Sequence, residues 1–362
     1  MASEEEKLKA IRVRIDQIDE EIQRLINERA GQAQEVARVK MEAGSEALFY
    51  RPEREAQVLR SVRDRNTGPL DAEEMARLFR EIMSACLALE QPMKIAFLGP
   101  EGTYTQAAAQ KHFGHSVITV PLAGVDEVFR EVEADSCNYG VVPVENSTEG
   151  VVTHTLDRFL ISSLLVCGEV ELRIHHQLMS KAPSLQSITK VYSHQQSLGQ
   201  CREWLDANLP TVERIAVSSN AEAAKRAARE DGAAAIASET AAQIYGLTIL
   251  AASIEDEPEN TTRFLIIGKQ ATTPSGEDKT TLLLSTRNEP GALYRLIKPF
   301  EVHNISMSRI ESRPSRRAAW DYVFFVDING HVNDAPVAEA LQELKKETTL
   351  LKVLGSYPKA VL

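Results

Sequence analysis

Apolar residues in the first ninety positions recur at helical spacing. Ile11, Ile15, Ile18, Ile22 and Leu25 stand four and three apart, the seam of a heptad-like helix. The pattern predicts a helix from Glu4 to Glu42, then shorter ones from Pro52 to Arg65 and from Asp71 to Glu90. The last buries a face running through Met75, Leu78, Phe79 and Ile82. The first helix spans about 55 Å, too long to bury its seam inside so small a unit. A second copy of the same helix is its simplest partner.

Charges interrupt these buried faces. Four residues beyond Leu25 stands Arg29, and eleven further stands Lys40. Four-residue steps lead from Ile82 through Cys86 to Glu90, while Glu55 and Arg54 precede Leu59 and Val58 by four. Snorkelling accounts for any one of them. It accounts less well for Arg29, Lys40, Glu55 and Glu90 together, because a buried charge costs several kcal/mol unless paired or liganded.

From Lys94 to about Gly268 short apolar strands alternate with helical segments, an α/β pattern. "KIAFLGPEGTYTQAAAQKHF" reads as strand, tight turn and helix. Gly99 and Gly102 allow close approach to a ligand, and Thr103 or Thr105 can cap the helix. It is neither a Walker A loop nor a dinucleotide fingerprint. "YGVVPVENSTEG" is an apolar strand ending in Glu145, Asn146 and Ser147, and "VYSHQQS" one ending in Ser193, His194 and Gln195. "ENTTRFLIIG" sets Thr261, Thr262 and Arg263 before a buried strand. Ligands bind beyond strand ends in open α/β sheets, so these clusters are expected to converge on one cleft. His175 and His176 lie in an apolar, strand-like stretch and read as structural.

The polar stretch "KQATTPSGEDKT" reads as a linker over 270–279. Beyond it, "TTLLLST", "ISMSRIESRP", "DYVFFVDI" and "LLKVLGSYP" are strands, with helices starting near Ala292 and Ala335. Strand, helix, strand, strand, helix, strand is the ferredoxin-like βαββαβ order. "NEPGALYRL" sets Pro290 and Gly291 at a helix start, where open N–H groups can grip a carboxylate.

Composition narrows the classes. A chain of 362 residues exceeds one ordinary core, so two or three domains are expected. A net charge of −11 disfavours non-specific nucleic-acid binding, so anionic ligands need local pockets. The four cysteines form no C-x-x-C pair, which argues against a zinc site or a disulfide framework. The acidic start "MASEEEKLKA" lacks an apolar signal region, and no apolar run is long enough to span a bilayer. A cytoplasmic, reduced protein with neither membrane nor nucleic-acid partner is expected.

The long helix with Arg29 and Lys40, then "RPERE", then a helix ending in "CLALE", resembles the all-helical chorismate mutases. These are intertwined dimers that convert chorismate to prephenate. The resemblance implies that Arg29 and Arg12, the latter reaching in from the partner, hold the substrate carboxylates. It implies that Lys40 donates to the ether oxygen and that Glu55 accepts from the ring hydroxyl. Arg51, Cys86 and Glu90 also match site positions, where aspartate, serine and glutamine are common. Glu90 would face an oxygen that only accepts, so it helps when protonated. The sequence leaves open whether burial or the nearby Arg29 and Lys40 sets its state.

"GPEGTYT", "VPVENS", "VYSH" and "TTRF" resemble the prephenate dehydratases, which have two α/β lobes like a type II periplasmic binding protein. That family removes the ring hydroxyl and carbon dioxide from prephenate, giving phenylpyruvate. The resemblance makes Thr262 the essential hydroxyl, a positioned donor rather than a bulk acid. Arg263 would bind a carboxylate or brace the strand, with Thr103, Glu145, Asn146, Ser147 and Ser193 in the cleft wall.

"GALY" and "ESRP" resemble the regulatory ACT domain, which binds phenylalanine between two copies. Gly291, Ala292, Leu293, Glu311, Ser312 and Arg313 are the implied effector contacts. Tyr294 stands where valine is commoner.

The whole chain thus resembles the bifunctional chorismate mutase/prephenate dehydratase family of phenylalanine biosynthesis. Its parts would be a mutase over 1–92, a dehydratase over 93–269 and an ACT domain over 280–362. The resemblance implies no cofactor and no metal, chorismate and prephenate as substrates, phenylalanine as feedback inhibitor, and a homodimer or higher oligomer. Two other readings stay open: a dehydratase that prefers arogenate, and a non-catalytic two-lobed sensor with a coiled-coil arm.

Overall fold

The computed structural model describes residues 3–42, 50–287, 289–314 and 322–362. Asn288 and Asp321, which begin two of the segments quoted above, lie outside them. The helical part comprises α1 (Glu4–Glu42), α2 (Pro52–Asp64) and α3 (Ala72–Glu90). Pro52 opens α2, where a missing N–H costs nothing, and Asp71 caps α3 by accepting from the Glu73 N–H at 2.8 Å. Leu59, Ala76 and Met83 form the small α2–α3 core, together with Val361 and Leu362 from the far end of the chain. Ala37 is the one buried residue of α1 among those described. Its seam lies open: Ile11 is 56% exposed and Leu25 49%.

Two lobes follow. The first contains β1 (Lys94–Leu98), α4 (Tyr104–Phe113), β2 (Ile118–Leu122), α5 (Val125–Glu133), β3 (Tyr139–Asn146), β4 (Gly150–Val151), α6 (Thr153–Phe159) and β5 (Leu165–Arg173). The second contains β6 (Gln177–Ser180), β7 (Lys190–His194), α7 (Gln195–Gln200), α8 (Arg202–Asn208), β8 (Glu213–Val217), α9 (Asn220–Ala227), β9 (Ala233–Ala237), α10 (Glu239–Tyr245) and β10 (Thr248–Ala251). The chain then returns as β11 (Thr261–Gly268), which enters the first sheet between β3 and β5, antiparallel to both. The sheet orders are β2-β1-β3-β11-β5 and β10-β6-β9-β7-β8.

The two crossings between lobes run side by side. The Ile174 N–H donates to the Asn260 carbonyl at 2.8 Å, and that of Ile254 to His176 at 2.9 Å. Beside this paired crossing, the 99–103 turn hooks one lobe to the other. Gly102 takes φ +86°, and a Cβ there would come 3.2 Å from Ala241 of α10. Its freedom therefore serves the lobe contact, where the sequence suggested approach to a ligand.

The C-terminal part is β12 (Asp278–Ser285), α11 (Ala292–Val302), β13 (Met307–Pro314), β14 (Tyr322–Asn329), α12 (Ala335–Glu347) and β15 (Leu350–Pro358). Its sheet order is β13-β14-β12-β15, with the helices on one face. The other face lies on the first lobe, so that Leu283, Val323, Phe325, Leu354 and Tyr357 share one core with Val142, Val144, Phe159, Val166, Leu265 and Ile267. A Cβ on Gly355 would come 2.1 Å from the Val166 carbonyl oxygen. The segment expected as a linker is pinned: Thr272 and Ser275 are buried, and Arg60 donates to the carbonyls of Ser275 and Glu277.

Candidate active sites

α1 and α3 cross near their C-terminal ends and bring Arg29 and Lys40 to Glu90. Burial raises the Glu90 carboxyl above the usual range, and the fields of Lys40 and Arg29 do not cancel it. Cys86, one turn earlier, is buried. Arg12 stands exposed on the N-terminal half of α1.

Two expected members of this group are engaged elsewhere. Arg51 precedes α2 and pairs with Glu53 at 2.8 Å. Glu55 lies 3.2 Å from the buried Arg80, a residue that the sequence did not single out. Burial raises the Glu55 carboxyl despite Arg80 and Tyr50. Its carboxylate thus faces Arg80 and Tyr50.

The second site is a cleft of about 700 Å³ between the lobes. Thr262 and Asn146 face each other across β11 and β3 at its wall. The Asn146 amide cannot turn, because its Oδ1 accepts from the N–H groups of Thr148 at 3.0 Å and Glu149 at 2.9 Å. Its Nδ2 therefore donates to Thr262 Oγ1 at 2.8 Å and to Asn260 Oδ1 at 2.7 Å. A hydroxyl that accepts on one side keeps its own proton for something else.

The chain of amides continues. Asn260 Nδ2 donates to Gln200 Oε1 at 3.3 Å, and Gln200 Nε2 donates to Glu149 across the cleft at 3.2 Å. Gln200 Oε1 also lies 2.8 Å from His176 Nε2, which must carry the proton there. The Tyr104 hydroxyl lies 2.9 Å from His176 Nδ1 and donates to the His175 carbonyl at 2.8 Å. Burial lowers the His176 pKa, against the opposing pull of Gln200 and Glu255, and keeps the ring neutral. The sequence set His176 aside as structural, yet it lines the cleft. Asn260 was legible as the residue before "TTRF" and Tyr104 as part of "GPEGTYT", but Gln200 had no local signal.

Among the described residues, none lining this cleft is lysine or arginine. Helix N-termini take that place. α4 opens on it with its Thr103 cap from the first lobe, and α9 with its Ser219 cap from the second. Both offer open N–H groups to an anion.

Four other expected wall residues point elsewhere. Ser193 is fully buried, donating to Asn220 Oδ1 and to the Ile236 carbonyl, and it reaches the cleft through Asn220 alone. Ser147 Oγ accepts from the Thr261 N–H at 2.9 Å and staples two loops. Strand alternation turns Glu145 and Arg263 to the opposite face of the sheet, towards the C-terminal part. There Glu145 meets Arg309 at 2.8 Å. Arg263 meets Glu169 at 2.8 Å and Asp327 at 2.5 Å. Arg263 thus braces the strand and binds no carboxylate in the cleft.

In the C-terminal part Gly291 takes φ +78° as the N-cap of α11, with Ala292 and the half-exposed Leu293 following. Glu311 and Ser312 lie on the edge strand β13. Arg313, expected at an effector, donates to Asp157 of α6 at 3.0 Å. Alternation along β13 puts it on the face that meets the first lobe. Among the described residues, no helix is long and apolar enough to cross a membrane.

Three family models match the chain: chorismate mutase type II over 11–91, prephenate dehydratase over 95–272 and ACT domain over 280–346. The chain is 61% identical to the bifunctional chorismate mutase/prephenate dehydratase of Stutzerimonas stutzeri, over 99% of this chain and all of that one. It is 58% identical to the protein of the same name from Pseudomonas aeruginosa, with the same coverage. A crystal structure of prephenate dehydratase from Arthrobacter aurescens in complex with L-Phe is 33% identical, with a TM-score of 0.68 over 73% of this chain and 89% of that one.

Proposed function

The chain belongs to the bifunctional chorismate mutase/prephenate dehydratase family, and from that premise we propose which of its residues carry each reaction. The enzyme rearranges chorismate to prephenate, then removes water and carbon dioxide to give phenylpyruvate, in phenylalanine biosynthesis under feedback from phenylalanine. We assign 1–92 to the mutase, 93–269 to the dehydratase and 280–362 to the ACT domain.

The mutase reaction is a unimolecular rearrangement, so catalysis consists of holding a dianion in a compact chair and meeting charge on the breaking ether bond. Arg29 and Arg12 of the partner subunit grip the carboxylates by bidentate pairing. Lys40 and protonated Glu90 donate to the ether oxygen. The raised Glu90 carboxyl supports that assignment. The open seam of α1 supports a homodimer, because an apolar face of this length needs a partner.

In the dehydratase the carboxylate carbon–carbon bond breaks and its electron pair enters the ring. The ring carbon–oxygen bond breaks in turn and the hydroxyl departs, taking up a proton to leave as water. The Thr262 hydroxyl donates to that oxygen as its charge builds. The observation that carries this role is the fixed Asn146 amide, which spends its N–H on Thr262 Oγ1 and leaves the hydroxyl proton for the substrate. The N-termini of α4 and α9 receive the two carboxylates.

Chorismate supplied to the full-length protein, with and without phenylalanine, tests both halves. Prephenate then phenylpyruvate are expected, with less phenylpyruvate when phenylalanine is present. Lys40→Ala is expected to block prephenate formation while still converting supplied prephenate. Competing prephenate against arogenate in one assay decides substrate preference. No phenylpyruvate from prephenate would overturn the reading in favour of a non-catalytic sensor.

A further inference from the structure

The residues beside the dehydratase site on β3 and β11 are gripped by the regulatory sheet. In register, Thr262 pairs with Asn146 and Arg263 with Glu145. Alternation sends the first pair to the cleft and the second through the sheet, to the ACT domain. The pairing register breaks just beyond, between Arg263 and Phe264. The β3–β11 pairing thus bulges just beyond the site, a place where strands bend, while β11 stays in register with β5 there.

The grip is ionic and buried. Arg263 Nη1 reaches Asp327 on β14 at 2.5 Å, its Nη2 reaches the Tyr357 hydroxyl on β15 at 3.0 Å, and its Nε reaches Glu169 on β5 at 2.9 Å. Lys279 of β12 shares Glu169 at 2.7 Å. Asp327, Glu169 and Tyr357 are at most 4% exposed. Two cations and two carboxylates balance, so removing one partner leaves an uncompensated charge in the interior. Thr281 ties Asp327 to Tyr357 within the regulatory sheet, at 2.7 Å to each. A second anchor joins Glu145 to Arg309 on β13 at 2.8 Å.

We propose that Arg263 and Glu145 are positioning residues through which the regulatory sheet holds Thr262 and Asn146 in place, and that phenylalanine reaches the dehydratase site through these two anchors. The proposal rests on the reading of Thr262 as the donor to the leaving hydroxyl. A strand end fixed on its far face by another domain moves when that domain moves. A shift of an ångström in a positioned donor is enough to cost about 100-fold in rate. The coupling is mechanical and needs no ligand contact by either anchor.

The test uses the full-length enzyme with Asp327→Asn and, separately, Arg309→Gln. Mutase turnover on chorismate serves as the folding control and is expected to stay at the wild-type rate. Dehydratase kcat is expected to fall about 10- to 100-fold with KM changed little. The phenylalanine concentration for half-inhibition is expected to rise about 10-fold. Wild-type kcat with unchanged phenylalanine inhibition in both variants would overturn the proposal. If Asp327→Asn loses mutase activity as well, Tyr357→Phe decides, since it removes the hydroxyl that accepts from Arg263 and meets Thr281 and leaves the charges balanced. It is expected to lower kcat and weaken phenylalanine inhibition in the same direction, and an unchanged enzyme again overturns the proposal. Thr262→Val separates the two readings. If it retains dehydratase activity, the donor assignment is wrong. If it is inactive while the anchor variants behave as wild type, the anchors alone are wrong.

Discussion

Asn146 Nδ2 lies 2.8 Å from Thr262 Oγ1 and points at it by necessity, because two backbone N–H groups hold the other end of the amide. The threonine hydroxyl is thereby made a donor towards the cleft. Asn146→Asp keeps the size but replaces the donor with an acceptor, which captures the Thr262 proton. Dehydratase kcat is expected to drop about 100- to 1000-fold, as for loss of a preorganised donor, with mutase turnover unchanged. Steady-state rates on prephenate check this.

We propose that Glu90 sets a pH dependence for the mutase. Burial raises its carboxyl above the ordinary range. It is protonated, and a donor, below that raised value, and ionised above it. Mutase kcat is therefore expected to fall as pH rises through the Glu90 pKa. Glu90→Gln donates at every pH and is expected to flatten that limb. A pH–rate profile of the two enzymes side by side reads the difference, and an unchanged profile would sink the assignment.

We propose that the mutase depends on assembly through the seam of α1. Replacing both Ile15 and Ile18 by Asp puts charge on a face that is open in the single chain. Dissociation by sedimentation is expected, with loss of mutase turnover because Arg12 no longer reaches the second site. A monomer that still rearranges chorismate would contradict this.

Gly355 is a packing requirement. A methyl group there would overlap the Val166 carbonyl oxygen. Gly355→Ala is expected to destabilise the docking of the C-terminal sheet by about 1–3 kcal/mol. A lower denaturation midpoint with an unchanged α2–α3 part would show it.

The helices, the βαββαβ order and the motifs at strand ends could be read from periodicity and local chemistry. The three helices follow their apolar spacing, and Thr262 and Asn146 meet because both end apolar strands. Which face each side chain takes was less legible. Arg263 and Glu145 sit beside true cleft residues in sequence, and the two-residue alternation of a strand sends them the other way. Arg80, on a different helix, stands 3.2 Å from Glu55, a contact that no spacing within either helix announces. Gln200 joins the cleft from a distant helix, a contact that only tertiary structure creates.

The most direct measurement follows chorismate consumption, prephenate and phenylpyruvate together in the wild-type enzyme and in Thr262→Val. The variant is expected to convert chorismate to prephenate at the wild-type rate and to stop there, with prephenate accumulating. Phenylpyruvate appearing from Thr262→Val at the wild-type rate would contradict it.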